Sequence, residues 1–346
     1  MSNNDFLEIE QRGDVAIIWM NRKGEKHNTL GRTLVDDFSQ ILDEIEKNAA
    51  IKAMIFASRK ADSFIAGADL DLIKGADRTF VEEFNREGNK LLDRIANFKK
   101  PILAAVHGTS LGGGVEVMLA CHYRIATSHP KTVFGLPEVK LGLLPGAGGT
   151  QRLPKLVGLQ KALDIMLTGK NVYAYPAKKM GFIDELVHKD ALIDVAVQRA
   201  SEFGKTGVRR KKKKKSLVDK LLENNPLGRS IVYSQARKTV LRQTKGNYPA
   251  PLRIIDSVKV GLEKGYKKGR EAETIGFVDL AETPESKALL NLFFAMTDSK
   301  KNPDKDQARN VHRIGVLGAG LMGSGIADVS ANKDYRVILK DRNLEA

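Results

Sequence analysis

At 346 residues and 42% hydrophobic side chains, the chain is long enough for one large core and a second element. A single cysteine, Cys121, excludes a disulfide framework and any multi-cysteine zinc or iron–sulfur site built from this chain alone, and it points to a reducing compartment. The first residues, MSNNDFLEIE, lack the basic and apolar blocks of a secretory signal, and no apolar run reaches membrane-spanning length, so a soluble intracellular protein is expected.

The net charge of +15 is unevenly spread, with 14 Lys and Arg against 3 Asp and Glu over residues 201–250. At the centre of that stretch runs RRKKKKK, Arg209 to Lys215. Such a run is either a solvated segment extended by its own repulsion, or a contact for an anionic lipid surface or a polyanionic substrate. No aromatic residue interleaves it, so nucleic acid is the least favoured partner.

In chain order, DVAIIWMN (14–21), IKAMIFAS (51–58) and PILAAVHG (101–108) are short apolar runs that predict strands. Between them Leu34, Phe38, Ile41 and Ile45, then Val81, Phe84, Leu91, Leu92 and Ile95, recur at three- and four-residue spacing, which predicts two amphipathic helices. Strands alternating with such helices are the mark of an α/β fold. Helices are also predicted over 159–168 and 190–203, with a mainly helical region continuing to about Phe294. TDSKKNPDKDQARN (297–310), apolar only at Ala308, has the composition of a linker.

After it, Ile314 to Leu317 predicts a strand, Leu321 to Ala331 a helix, and Tyr335 to Leu339 a second strand. Gly318, Gly320 and Gly323 sit at the strand-to-helix turn, and Asp341 follows 18 residues beyond Gly323. Such a glycine turn brings the backbone against a pyrophosphate at a helix N-terminus, and an acid at the end of the next strand suits a ribose hydroxyl and repels a 2′-phosphate. NAD is therefore expected over NADP; the alternative is a structural glycine turn.

Two glutamates stand in unusual contexts. SLGGGVEVMLA (110–120) runs three glycines into a helix, where Gly113 could donate its amide to a developing negative oxygen and Glu116 lies one turn further along the same side. FGLPEVKLGLLPGAGGTQRLP (134–154) sets Glu138 after Pro137 in a segment rich in turn residues. FIAGADL (64–70) is a third glycine-containing turn. Taken singly, Glu116 also reads as a helix-surface carboxylate, Glu138 as a turn residue and Asp69 as a helix cap.

FIAGADL, PILAAVHGTSLGGGVEVMLACHYRIAT, FGLPEVKLGLLPGAGGTQRL and MGFIDELV (180–187), in that order, resemble the successive signatures of the enoyl-CoA hydratase, or crotonase, superfamily over about residues 5–205. NPLGRS (225–230), TKGNYPAPLRI (244–254), NLFFAMTDSKK (291–301) and the glycine turn are similar to the α-subunit family of fatty acid oxidation complexes, which joins a hydratase to a 3-hydroxyacyl-CoA dehydrogenase. The resemblance implies a crotonase-like ββα spiral over 1–190, a helical region over 191–296, a linker over 297–311, and over 312–346 the start of an NAD-binding dehydrogenase domain, a first βαβ unit of a truncated Rossmann domain.

Carried onto matching positions, it makes Glu116 and Glu138 the acid–base pair, without fixing which is acid and which is base, and the Ala68 and Gly113 amides the oxyanion hole. Asp298 becomes a substrate contact, and Gly318, Gly320, Met322, Gly323 and Asp341 become NAD contacts. The implied activity is hydration of trans-2-enoyl-CoA to 3-hydroxyacyl-CoA, needing no cofactor or metal. Two alternatives stand beside it: double-bond isomerisation from the 3- to the 2-position at the same site, and a non-catalytic scaffold binding a membrane or partner. A thiolase β subunit is the implied partner, and the implied location is bacterial-type cytoplasm, with membrane association through Arg209 to Lys215 as an option. The dehydrogenase's catalytic histidine has no counterpart in the sequence, so hydration without NADH formation is expected.

Overall fold

The computed structural model describes residues 6–209, 222–223, 225–301, 307 and 309–342. They fall into two compact units, Met1–Phe293 and Phe294–Ala346. No described helix is long and apolar enough to cross a membrane.

The first unit contains strands β1 (Leu7–Arg12), β2 (Val15–Met20), β3 (Ala53–Ser58), β4 (Ser63–Ile65), β5 (Ile102–Val106), β6 (Thr109–Leu111), β7 (Tyr123–Thr127), β8 (Val133–Gly135), β9 (Val172–Tyr173) and β10 (Glu185–Val187). Its helices include α1 (Leu34–Lys47), α2 (Arg78–Ala96), α3 (Gly113–Ala120), α4 (Gly149–Val157), α5 (Leu159–Thr168), α6 (Ala174–Met180), α7 (Leu192–Thr206), α8 (Pro226–Thr244), α9 (Pro249–Lys264) and α10 (Tyr266–Ala281). Helix α11 (Pro284–Asp298) crosses the division between units.

Six strands form one sheet in the order β1-β2-β3-β5-β7-β10, parallel except for the β1–β2 pair. A second sheet, β4-β6-β8-β9, is parallel except for β8–β9. The chain alternates between them: β3 then β4 before α2, β5 then β6 before α3, β7 then β8 before α4. This is the expected ββα spiral.

The apolar runs are continuous because the larger sheet is covered on both faces. Along β2, Val15, Ile17 and Trp19 pack with Leu192, Ala196, Ala200 and Phe203 of α7, while Ala16, Ile18 and Met20 join Phe38, Ile41 and Leu42 of α1 in the main core. The α1 stripe is the periodic set seen in the sequence, buried at Leu34, Phe38, Ile41 and Ile45. Helix α2 starts where Asp77 accepts a hydrogen bond from the Phe80 amide at 2.8 Å.

Helix α5 matches its predicted bounds, and α7 begins two residues late because a 3-10 turn, Lys189–Ala191, precedes it. The three-residue strands β4, β6 and β8 are too short to leave a periodic signal, yet they carry the site. The second unit contains β11 (Arg313–Leu317), α12 (Leu321–Ala331) and β12 (Arg336–Lys340), with β11 and β12 paired in parallel. The predicted linker begins inside α11, which runs through Asp298.

Candidate functional site

Strands β4, β6 and β8 are parallel neighbours, and each is followed by one of the three segments singled out in the sequence. After β4 comes Ala66-Gly67-Ala68, after β6 Gly112-Gly113, and after β8 Leu136-Pro137 and a 3-10 turn, Glu138–Leu141. Loops at the carboxyl ends of adjacent parallel strands converge on one crevice. Ala68, Gly113, Glu116 and Glu138 all line a cleft of about 330 Å³ whose walls include Leu34 and Phe38 of α1, Leu91 and Leu92 of α2, and Phe277 of α10.

The two amides are free to act. Leu30 forms a parallel bridge to Ala68, its amide donating to the Gly67 carbonyl at 2.9 Å, and this holds the segment without using the Ala68 N–H. Gly113 is the first residue of α3, so its amide has no intrahelical acceptor. Among the described residues neither amide finds one. The corner that leads into Gly113 needs glycine at Gly112: φ is +53°, and a Cβ there would stand 3.1 Å from Glu138 Oε1.

The reading of Glu116 as a surface carboxylate is overturned, because every residue of α3 is buried. Glu116 Oε1 accepts from the amides of Ala147 at 2.7 Å and Gly149 at 2.8 Å. Burial, then the charge of Glu273, push its pKa up to about 7, against the pull of those two amides and of Arg270. Glu138 Oε2 is buried with no hydrogen-bond partner among the described residues. Burial first, then Glu116, hold its carboxyl well above the usual carboxylate range. The cap reading of Asp69 holds, since its carboxylate accepts from the Asp71 amide at 3.2 Å.

Sequence reasoning missed the residues behind this pair. Glu273 of α10 is fully buried and accepts from the amides of Gly148 at 2.7 Å and Thr150 at 3.1 Å, from the Thr150 hydroxyl, and from Arg270. Asn85 and Asn89 of α2 both donate to the Gly146 carbonyl at 2.9 Å, and Arg152 donates to the Ala147 carbonyl at 2.9 Å. Arg270 and Glu273 have the spacing of an ordinary surface ion pair. The available signal was that Gly269, Glu273, Gly276 and Leu280 share one helix face otherwise made of small and apolar residues.

In the second unit, Gly318 has φ +99° at the strand-to-helix turn, and a Cβ on Gly323 would run into the Gly318 carbonyl oxygen. Gly320 caps α12, and Met322 is exposed on its first turn. Asp341 accepts from the Ala319 amide of the turn and from Arg342 N at 2.6 Å. Asp298 closes α11, where Lys301 donates to it at 2.7 Å. Of the basic run, Arg210 to Lys215 lie outside the described residues. Elsewhere Asp62, His107 and His129 bring donor atoms within 4.8 Å of one another, a set that a first-row metal accepts, but Lys131 already holds the Asp62 carboxylate at 2.6 Å.

The enoyl-CoA hydratase/isomerase family profile matches residues 10–245, and the NAD-binding domain of 3-hydroxyacyl-CoA dehydrogenase matches residues 313–346. The chain is 46% identical over 331 residues to the fatty acid oxidation complex subunit alpha of Shewanella amazonensis, covering 94% of this chain and 46% of that protein. It therefore spans about half the length of the curated relatives it matches. Two solved structures share its fold: the enoyl-CoA hydratase of Bacillus anthracis, at TM-score 0.55 and 24% identity over 84% of this chain and 96% of that one, and human mitochondrial delta3-delta2-enoyl-CoA isomerase, at TM-score 0.62 and 17% identity over 86% and 99%. The spiral that sets three strand-end loops around one cleft, and the profile that matches it over most of its length, agree: the chain belongs to the enoyl-CoA hydratase/isomerase family.

Proposed function

We propose that the chain hydrates trans-2-enoyl-CoA thioesters in β-oxidation, with Glu116 and Glu138 as the reacting pair. One observation carries this reading: two buried carboxyl groups and two amides without acceptors line the same apolar-walled cleft. Glu116, whose carboxyl accepts the Ala147 and Gly149 amides, takes a proton from water as its oxygen attacks the β-carbon. Electrons move onto the thioester oxygen, where the Ala68 and Gly113 amides stabilise the charge; one such donor contributes about 3–4 kcal/mol to the barrier. Glu138, kept protonated by burial, delivers its proton to the α-carbon. Proton return from Glu116 to Glu138 resets the pair. Acyl-CoA fits the walls, since Leu34, Phe38, Leu91 and Leu92 offer apolar surface to an acyl chain.

The test is purified chain with short, medium and long trans-2-enoyl-CoA, following loss of the conjugated thioester absorbance. Steady loss supports hydration. No loss, with conversion of a 3-enoyl-CoA to its conjugated isomer, would replace the reading by isomerisation.

For the second unit the inference is NAD binding by Gly318, Gly320, Met322, Gly323 and Asp341. The left-handed Gly318 and the close approach of Gly323 suit a pyrophosphate turn, and Asp341 would share its carboxylate between Ala319 and a ribose. When bound, NAD supplies a hydride acceptor for a 3-hydroxyacyl group. The word complex in the relatives' names supports assembly with a partner subunit, for which a thiolase is the proposed identity. We also propose substrate contact by Asp298, domain bounds at 190, 296 and 311, and an anionic surface as the partner of Arg209 to Lys215.

A further inference from the structure

Two carboxylates far apart in the chain divide the amides of one short loop. Glu116 of α3 takes the N–H groups of Ala147 and Gly149; Glu273 of α10, 157 residues later in the chain, takes those of Gly148 and Thr150. Successive amides therefore alternate between a carboxylate that lines the cleft and one that does not. The loop's carbonyls are also tied, Gly146 to Asn85 and Asn89 and Ala147 to Arg152. Without Glu273, the loop that aims Glu116 Oε1 would lose every acceptor on its other side.

We propose that Glu273 and its partner Arg270 are positioning residues for the proposed hydration, holding Ala147 to Thr150 in the register that fixes Glu116 and setting a compensated charge behind it. This rests on the hydratase reading for its function but not for its test. The charged groups around Glu116 are Glu138 from the 3-10 turn, Glu273 and Arg270 from α10, and Arg152 of α4, which acts on Glu273. Glu273 disfavours the charged form of Glu116, and Arg270 favours it. Removing one or the other must therefore move the Glu116 titration in opposite directions, whereas mere loosening of the loop would move both variants the same way.

The experiment uses the full chain labelled with 13C at the glutamate side-chain carboxyl, with the Glu116 resonance assigned by its loss in Glu116→Gln. In Glu273→Gln the midpoint should fall by about one pH unit, and in Arg270→Gln it should rise by about as much. Arg270→Lys should stay near the parental value. If either Gln variant does not fold, the other against Arg270→Lys decides. Shifts of one sign, or none, would overturn the proposal. Hydration is read separately: Glu273→Gln should lose at least about 10-fold in kcat with little change in KM, because its amide NH2 must face either Gly148 N or Thr150 N. An inactive parental chain would sink the hydratase reading and leave the titrations to decide this one.

Discussion

The turn that joins β6 to α3 and the turn that joins β11 to α12 are built alike: a parallel strand, a glycine-rich corner, and a short helix dominated by small and apolar residues. Their surroundings are opposite. All eight residues of α3 are buried, while none of the eleven in α12 is, and Leu321 is 93% exposed. Each corner also has a carboxylate that accepts two backbone amides, Glu116 in one case and Asp341 in the other. Those hydrogen bonds lower the pKa of Asp341, which has little burial to oppose them, whereas burial overrides them at Glu116 and pushes it up. The same local chemistry yields a solvated anion in one place and a carboxyl poised near neutrality in the other, and what differs is the layer packed around it.

The largest expected effect tests the poised carboxyls directly. Glu116→Gln or Glu138→Gln should each reduce hydration of a short trans-2-enoyl-CoA by at least about 10²-fold, within the range of one lost acid or base. Activity of the parental chain should rise through pH about 7 as Glu116 loses its proton. A flat profile with unimpaired Gln variants would remove both residues from the chemistry.

Next in size is a steric contrast. A Cβ on Gly114 would strike the Ile65 carbonyl oxygen, a backbone atom that cannot step aside. Gly114→Ala should therefore cost about 1–3 kcal/mol or more, seen as a lower urea midpoint with an unchanged slope. Parental stability would mean that α3 is less tightly seated on β4 than its burial implies.

A third test uses the sign of the pKa shift. A carboxyl whose folded value is raised binds more protons folded than unfolded between about pH 4.5 and 7, so stability falls across that window and stays low above it. Glu116→Gln keeps an oxygen for the Ala147 and Gly149 amides and removes the penalty. It should gain on the order of 1–3 kcal/mol over the parental chain at pH 8 and little at pH 4.5, measured by denaturation at both. Asp341 has the opposite sign: its lowered value makes any contribution present at neutral pH and lost in acid. An equal gain for Glu116→Gln at both pH values would locate the effect in packing rather than in charge.

These contrasts also mark what the sequence could disclose. Periodic stripes gave α1 and α2, the apolar runs gave β2, β3 and β5, and the strand–turn–helix order around Gly318 to Asp341 was recovered nearly to the residue. Local pattern suffices where the signal is local. Glu116 and Glu138 stand out only through the family's segment order, because each alone reads as a surface or turn residue. Strands β4, β6 and β8 span three residues each and only the pairing of one with the next makes them a sheet. Glu273 was hidden for a related reason: its meaning comes from Gly148 and Thr150, more than a hundred residues away, and a charged residue three positions from an arginine carries no mark of being buried.

The smallest expected effect closes the contrast between the two helices. Gly325 lies inside α12 with nothing within 4 Å of where a Cβ would stand, and its φ is not in the left-handed region. There a glycine only lowers helix propensity, by about 0.5–1 kcal/mol relative to alanine, because the unfolded chain gains more freedom from it than from any other residue. Gly325→Ala should therefore strengthen the helix by that amount, the opposite sign to Gly114→Ala for the same added methyl group. Amide hydrogen exchange across residues 321–331 reads it locally, since opening of one short helix need not follow global unfolding. Slower exchange by about 2- to 5-fold is expected. Faster exchange would mean that the Gly325 face is packed like that of Gly114, and the two corners would then differ in degree rather than in kind.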